Sequence, residues 1–532
     1  MSEYTDWQTF SNNLIRYSKP ELWLDLSLMD LPEDLIKTRE KCIDKSLDEV
    51  KKIEAGVKVN TDEDIEAGGR QVGHYWLRNP ELAPNEIGVS IQRKIAEVKA
   101  FASGIHKGEI LNPSGEKFTD LLLIGIGGSA LGPQLAVDAL TDHTAPMKIH
   151  YFDNTDPDGM DRILDEIGGG IGKTLTLVIS KSGGTKETRN GMLEAKAAYE
   201  NNGLEFGKHA IAVTGENSQL DQYATQHDWI GIFPMEDWVG GRTSITSVVG
   251  LLPMALMGIN IDDFLEGASA IDIKTRPPEV KNNAALLMAL SWHHVGEGKG
   301  SKAMVILPYK DRLNLLSKYL QQLVMESLGK EFDRENNQVH QGITVYGNKG
   351  STDQHAYVQQ LRDGINNFFV TFIEVRESRS GKSIEVDPGY NTGDYLQGFL
   401  RGTRSALAEA GRKSMTISIP ILDAFHLGSL IALYERTVSY YASLININAY
   451  HQPGVEAGKK AATDFLEVLS KVETYLSTLV GEKLNAVDVA NNIQESAETT
   501  FHALHHLSSN RDNINVHVGE SPELDLFVKN QS

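Results

Sequence analysis

The stretch "TLTLVISKSGGTKETRNGMLEAKAAYE", residues 174–200, changes character twice. An apolar run ends at Ser180, a turn of hydroxyls and glycines follows, and the chain then takes on helical composition. A continuous apolar run bounded by Ser and Gly reads as a strand buried on both faces, and a helix directly after it points to a parallel sheet. The same unit recurs on both sides. "DLLLIGIG" (120–127), "KIHYFDN" (148–154) and "KHAIAVTG" (208–215) form a first set of strands with room for helices between them. After the apolar window "VVGLLPMALMGI" (248–259) and the break "TRPPEV" (275–280), the pattern restarts. "KAMVILPY" (302–309), "GITVYGN" (342–348), "NFFVTFIEV" (367–375) and "MTISIPILD" (415–423) form the second set. The reading is an α/β fold of two tandem three-layer α/β/α domains with mainly parallel sheets, 116–285 and 286–445. Helical patterns flank them, as an N-terminal extension over 1–115 and a C-terminal arm over 446–532.

In such sheets ligands sit beyond the carboxyl ends of the strands, so the loops there carry the functional signal. The first is "LLLIGIGGSALGPQL" (121–135). Gly125, Gly127 and Ala130 match G-x-G-x-x-A, and Asp153 ends the next strand where a ribose ligand is expected, so a Rossmann-type dinucleotide oxidoreductase competes at this point. The second is the opening stretch. Ser180, Ser182, Thr185 and Thr188 offer hydroxyl donors, Gly183 and Gly184 permit close backbone approach, and the next helix directs free N–H groups at the loop. That combination suits an anion such as phosphate; the bland alternative is a Ser/Thr cap on an ordinary helix. "IGGGIGKT" (167–174) imitates a nucleotide P-loop, but Ile167 replaces its first glycine and it precedes a strand, so ATP binding is rejected.

The balance of 51 basic and 72 acidic side chains, net −21, argues against a nucleic-acid or anionic-membrane surface but not against a small anion in a pocket. The single cysteine, Cys42, excludes an intrachain disulfide and cysteine-based zinc sites and fits a reducing compartment. The start "MSEYTDWQTF" lacks the basic and apolar regions of a signal peptide. Residues 248–259 are too short to span a bilayer and contain Pro253, so they read as a buried helix in a cytoplasmic protein.

Four further stretches carry candidate chemistry. "DWVGGRTSITSVVGLL" (237–252) sets Arg242 behind two glycines. In "YLQQLVMESLGKE" (319–331) Gln322 and Glu326 share one helix face; the bland reading pairs Glu326 with Lys330 at i+4. "KGSTDQHAYVQQL" (349–361) contains a capping box, Ser351-x-x-Gln354, that places His355 in a helix's first turn, where the dipole favours neutral imidazole. "YHQPGVEAGKKAATDF" (450–465) starts a helix near Pro453. His502, His505 and His506 have helix-face spacing but no carboxylate partner pattern, and read as surface residues.

Six stretches, in order, resemble the phosphoglucose isomerase family: "GIGGSALGP" (125–133), "SKSGGTKET" (180–188), "GGRTS" (240–244), "QLVMESLGK" (322–330), "GSTDQHAYVQ" (350–359) and "QPGVEAGK" (452–459). The resemblance implies two sugar-isomerase (SIS) domains, interconversion of glucose 6-phosphate and fructose 6-phosphate, and neither cofactor nor metal. It assigns the phosphate to Ser180, Ser182, Thr185 and Thr188, and the sugar to Gly128, Ser129, Lys181, Gln322 and Gln452. It makes Glu326 the base that moves a proton between C2 and C1 through a cis-enediol, and Arg242 the stabiliser of the developing charge. His355 and Lys459 open the sugar ring, with His355 supplied by the second subunit of a homodimer. The chain departs from the pattern at Leu328, where many relatives have asparagine, and at Gly183-Gly184, where some carry hydroxyl residues. Altered packing is expected at the first, and a larger share for backbone amides in phosphate binding at the second. A non-catalytic SIS sensor would keep the hydroxyl loop while losing Glu326 and His355; both are present.

Overall fold

The computed structural model describes residues 6–531 except 63–65 and 67, with the side chains of residues 456, 457 and 459 also outside the description. They fall into two compact units, one running to His451 and the other from Gln452 onward.

The first unit holds two large sheets and two two-stranded ones, Lys330–Phe332 with Gln338–Gln341 and Glu385–Asp387 with Tyr390–Asn391. One large sheet has five parallel strands in the order Lys148–Phe152, Asp120–Ile124, Thr174–Ser180, Ala210–Gly215, Gly231–Met235. Every residue of Thr174–Ser180 is buried, as its unbroken apolar run requires. Numbered along the chain the order is 2-1-3-4-5, so the winding reverses between Asp120–Ile124 and Thr174–Ser180. The loops leaving those two strands therefore splay to opposite sides and open a crevice, and they are the two glycine-rich loops.

The other large sheet has six strands: Leu14–Ser18, Glu21–Leu28, Ser414–Ile419, Phe368–Val375, Ala303–Pro308, Val345–Tyr346. Its last four are parallel and repeat the 2-1-3-4 winding of the first sheet. The first two form an antiparallel hairpin that pairs antiparallel with Ser414–Ile419. The N-terminal stretch is thus helical only in part. Helices Glu40–Glu54 and Asn85–Lys107 are present, whereas 14–28 are strands of the second sheet. The alternation in "ELWLDLSL" and the Lys19-Pro20 turn are the signal for them. Gly231–Met235 carries no clear strand signal in the sequence, because Pro234 weakens the pattern; proline is tolerated here at a sheet edge. We keep 116–285 and 286–445 as a proposed division, with the hairpin serving the second part.

One contiguous apolar core runs through both sheets and the helices Val248–Leu256, Ile261–Thr275, Ala284–Val295 and Ala424–Leu444. The greasy window is indeed helix, buried at every position from Val248 to Leu256. Helix Ala424–Leu444 is buried from His426 through Ser443 and carries Glu435 and Arg436 into the core. There they meet Arg78 and Asp272 in a fully buried charge cluster that Glu54 and Arg276 extend.

The second unit contains helices Pro453–Thr478, Ala486–Ile493 and Ala497–Asn510, with a hairpin of Ile514–His517 and Leu526–Lys529. His505 was read as a surface residue without a carboxylate partner. It is half-buried, packs on Phe501 and Phe527, and its Nε2 lies 2.8 Å from Asp525 Oδ2. His502 and His506 are exposed. No helix among the described residues is long and apolar enough to cross a membrane.

Candidate active site

The hydroxyl-rich loop joins strand Thr174–Ser180 to helix Lys186–Asn201. Thr185 stands at the N-cap, yet its side chain makes no cap bond, so the bland capping reading fails. The first-turn amides are left for another acceptor. Ser180 and Ser182 turn inward: their Oγ atoms accept from the amides of Gly183 at 3.2 Å and Gly184 at 3.1 Å. This narrows which backbone amides are open to an anion. Their N–H groups are already used within the loop, so the hydroxyl protons and the first-turn amides remain for an anion. Ser180 and Thr188 are buried, and with Gly183, Arg189, Gln219 and Tyr223 they border a cavity of about 220 Å³.

The two glycines differ in what they permit. Gly183 has φ of +69°, and a Cβ there would lie 2.2 Å from the backbone N of Leu220; a Cβ on Gly184 would meet nothing closer than Gln219 Oε1 at 3.6 Å. Gly183→Ala is therefore expected to destabilise the protein by more than about 1–2 kcal/mol, since a left-handed alanine costs that much before the clash is counted. Gly184→Ala should stay near wild type. Urea denaturation of the two variants side by side checks this, and equal midpoints would refute it.

The other glycine-rich loop, Gly127–Ser129, is a single 3₁₀ turn. It abuts the turn Gly241–Thr246 so closely that a Cβ on Gly128 would fall 2.2 Å from Gly241 O. Ser244 Oγ ties the two together by donating to Gly128 O at 3.1 Å. This contact fixes Arg242, whose NH2 donates to the carbonyls of Ala449 at 2.8 Å and His451 at 3.0 Å. Its NH1 is thereby directed at Glu326 Oε2, 3.0 Å away. The Arg242 side chain is 4% exposed and that of Glu326 21%, so the arginine is a fixed, desolvated charge while the carboxylate keeps an open face.

Glu326 does not sit on a plain α-helix. Helix Leu316–Leu320 widens into a π-helical turn, Gln321–Glu326, a deviation that recurs at functional sites. Gln322 Nε2 stands 3.1 Å from where a Cβ on Gly127 would be, so Gln322 closes over the first loop. The i+4 partner read for Glu326 behaves otherwise than expected. Lys330 Nζ donates to the backbone carbonyls of Glu326 and Ser327, at 2.7 Å each. Leu328 is fully buried in the main core.

Lys181 is drawn toward the approach to Arg242, with Nζ donating to Asp237 O at 2.7 Å and Val239 O at 3.1 Å. Gly128, Ser129, Lys181, Arg242, Gln322 and Glu326 are thus linked through the two turns at the mouth of the first sheet. The sequence does not point to the carbonyls of Ala449 and His451, and the i+4 spacing that pairs Lys330 with the Glu326 carboxylate does not reveal that its amine donates to the carbonyls of Glu326 and Ser327. Their roles run through backbone atoms, which residue type does not reveal.

His355 stands outside the hydrogen-bonded set just described. The capping box does not form: Ser351 makes no cap bond, and Gln354 Nε2 donates instead to Thr403 Oγ1 at 2.6 Å. His355 ends a four-residue 3₁₀ turn, Thr352–His355, and is exposed, so the helix-dipole argument for it falls. Among the described residues no hydrogen bond or ion pair links it to Glu326 or Arg242. Gln452 and Lys459 belong to the second unit. Gln452 is the N-cap residue of Pro453–Thr478, and the Lys459 side chain lies outside the described residues.

The carboxylate needed for the dinucleotide reading is engaged through one of its oxygens. Asp153 accepts from Gln134 Nε2 at 2.8 Å and lies 3.8 Å from Lys318 Nζ. Comparison with known proteins points the same way. Residues 29–390 and 403–478 match the family described as Phosphoglucose isomerase. A glucose-6-phosphate isomerase of Geotalea daltonii is 55% identical over 515 residues, 96% of each chain. One of Geobacter sulfurreducens is 53% identical over 526 residues, 98% of each. Among solved structures, a glucose-6-phosphate isomerase from Chlamydia trachomatis superposes with a TM-score of 0.78 at 25% identity, covering 87% of this chain and 92% of its own. With a matched sequence over most of its length and the same fold behind it, this chain belongs to the phosphoglucose isomerase family.

Proposed function

We propose that the chain interconverts glucose 6-phosphate and fructose 6-phosphate, the step shared by glycolysis and gluconeogenesis, in the cytoplasm. The observation that carries this reading is the Arg242–Glu326 pair at 3.0 Å beside the Gly127–Ser129 turn. Ser180, Ser182, Thr185 and Thr188 hold the phosphate, and Gly128, Ser129, Lys181, Gln322 and Gln452 line the sugar. Glu326 takes the proton from C2 of the open-chain aldose and returns it to C1. One carboxylate serving two adjacent carbons acts as base and then as acid. The cis-enediol between the two steps carries charge on its oxygens, which the fixed guanidinium of Arg242 stabilises without reorganising. The aldehyde carbon is reduced as its neighbour is oxidised, so the reaction balances internally and calls for neither cofactor nor metal.

Ring opening falls to His355 and Lys459. The exposure of His355 supports its delivery from the second copy of a homodimer. A non-catalytic sensor has no use for a desolvated arginine aimed at a half-open carboxylate, and the carboxylate that a dinucleotide enzyme would use, Asp153, is already engaged by Gln134.

The test is a coupled assay of fructose 6-phosphate conversion to glucose 6-phosphate; a pure, folded protein without turnover would sink the reading. For the shared site, inactive His355→Ala and Glu326→Gln proteins are mixed and allowed to exchange subunits. Random pairing leaves one intact site in each mixed dimer, so measurable activity should return. No recovery after exchange is verified would remove His355 from the neighbour's site.

A further inference from the structure

Lys330 opens the short strand Lys330–Phe332 and is 4% exposed, a rare position for a lysine. Its strand pairs with Gln338–Gln341, where Lys330 lies opposite Gln341. From that anchored backbone the side chain folds back toward the site. Nζ donates to the carbonyls of Glu326 and Ser327, both at 2.7 Å. These carbonyls lie at the carboxyl end of the π turn, where a helix runs out of its own donors. The turn bearing Glu326 is therefore braced from behind by a neighbouring hairpin.

We propose that Lys330 is a positioning residue for Glu326, holding the backbone of the π turn so that the carboxylate stays in reach of Arg242 and of both substrate carbons. This rests on the reading of Glu326 as the base. The charged groups facing Lys330 are Glu326 on the preceding turn, Arg242 from Gly241–Thr246, and Asp62, which itself lies 3.7 Å from His451 Nδ1. Burial, reinforced by Arg242, pushes the lysine down to about 7, against the opposing pull of Glu326 and Asp62. Both amine forms are therefore present near neutral pH. The neutral amine still carries two N–H bonds, one for each carbonyl, so the brace outlasts the charge.

The experiment compares Lys330→Met, Lys330→Arg and Glu326→Gln with wild type. It reads kcat, KM and the share of C2 deuterium delivered to C1 rather than lost to solvent. Lys330→Met keeps the stem and removes both donors. A base displaced by an ångström costs about 10²-fold, so kcat should fall by that order with KM nearly unchanged. The deuterium share should fall as well, because a loosened base holds the proton opposite C1 less well. A role confined to stability would not move that share.

Lys330→Arg brings a longer, planar head into the same space and should lower both quantities by less. Should Lys330→Met fail to fold, Lys330→Arg decides alone: wild-type kcat and deuterium transfer in it would overturn the proposal. The same values in a folded Lys330→Met would also overturn it. Full activity in Glu326→Gln would instead remove the base, and Lys330's role with it; an inactive Glu326→Gln beside a fully active Lys330→Met leaves the base standing and discards only the brace.

Discussion

Replacing Glu326 by glutamine should lower kcat by about 10²–10⁴-fold, the range a positioned acid–base group contributes, and leave KM within a small factor. The substitution keeps volume and an oxygen for Arg242 NH1, which stands 3.0 Å from Oε2 in the native pair. What it removes is the capacity to carry a proton. The hydroxyl loop, Gln322 and the Gly127–Ser129 turn are untouched, so substrate affinity should survive. Steady-state kinetics in both directions, with a check that the folded fraction is unchanged, decides the matter. Retention of a tenth of wild-type kcat or more would mean that another group moves the proton. A matched rise in KM would mean that Glu326 binds rather than reacts.

Asp272→Asn should cost about 3–5 kcal/mol of stability, the range seen when one partner of a buried ion cluster is lost. Asp272 is fully buried and accepts from Arg78 Nε at 2.6 Å, Arg78 NH2 at 3.1 Å and Arg436 Nε at 3.0 Å. Burial alone would raise its carboxyl, yet Arg436 and Arg78 together hold it below the usual carboxylate range. The sign follows from that depression. The stabilisation is fully present above the ordinary carboxylate pKa of about 4 and is lost as pH falls through the lower native value. The asparagine variant should have lost it already at neutral pH. Glu435→Gln is the internal control: Glu435 meets Arg78, which retains Asp272, so its loss should cost less. Urea unfolding followed by fluorescence reads both, and equal midpoints would show that Asp272 is not the hub.

Much of the frame was legible because buried parallel strands write themselves as unbroken apolar runs. Thr174–Ser180 and Phe368–Val375 are buried at every residue and were read as strands. Glu21–Leu28 was not, although its alternation is clear, because the helical composition around it set the expectation for the whole segment. In the site, motif order located the loops and Glu326 on the right elements. Spacing could say that Lys330 lies near Glu326, but not that its amine chooses the carbonyls over the carboxylate. Nor does a capping-box pattern reveal that Gln354 has a better acceptor in Thr403, since a partner 49 residues away on another helix is set by tertiary packing rather than local sequence. The π turn at Gln321–Glu326 has no residue signature at all.

The hairpin of residues 14–28 has a consequence for how the chain is made. Its partner, Ser414–Ile419, leaves the ribosome some four hundred residues later, with Asp25 paired to Thr416. The earliest strands to be synthesised must therefore wait for the last strand of the second sheet. Until they dock, Ser414–Ile419 presents an open edge of the kind that recruits foreign strands. Pairings so distant in sequence are slow to close and leave such edges exposed in the meantime. A bulky fusion at the amino terminus thus acts on the closing step of folding, and its cost should surface as aggregation during synthesis rather than as impaired turnover in the molecules that mature.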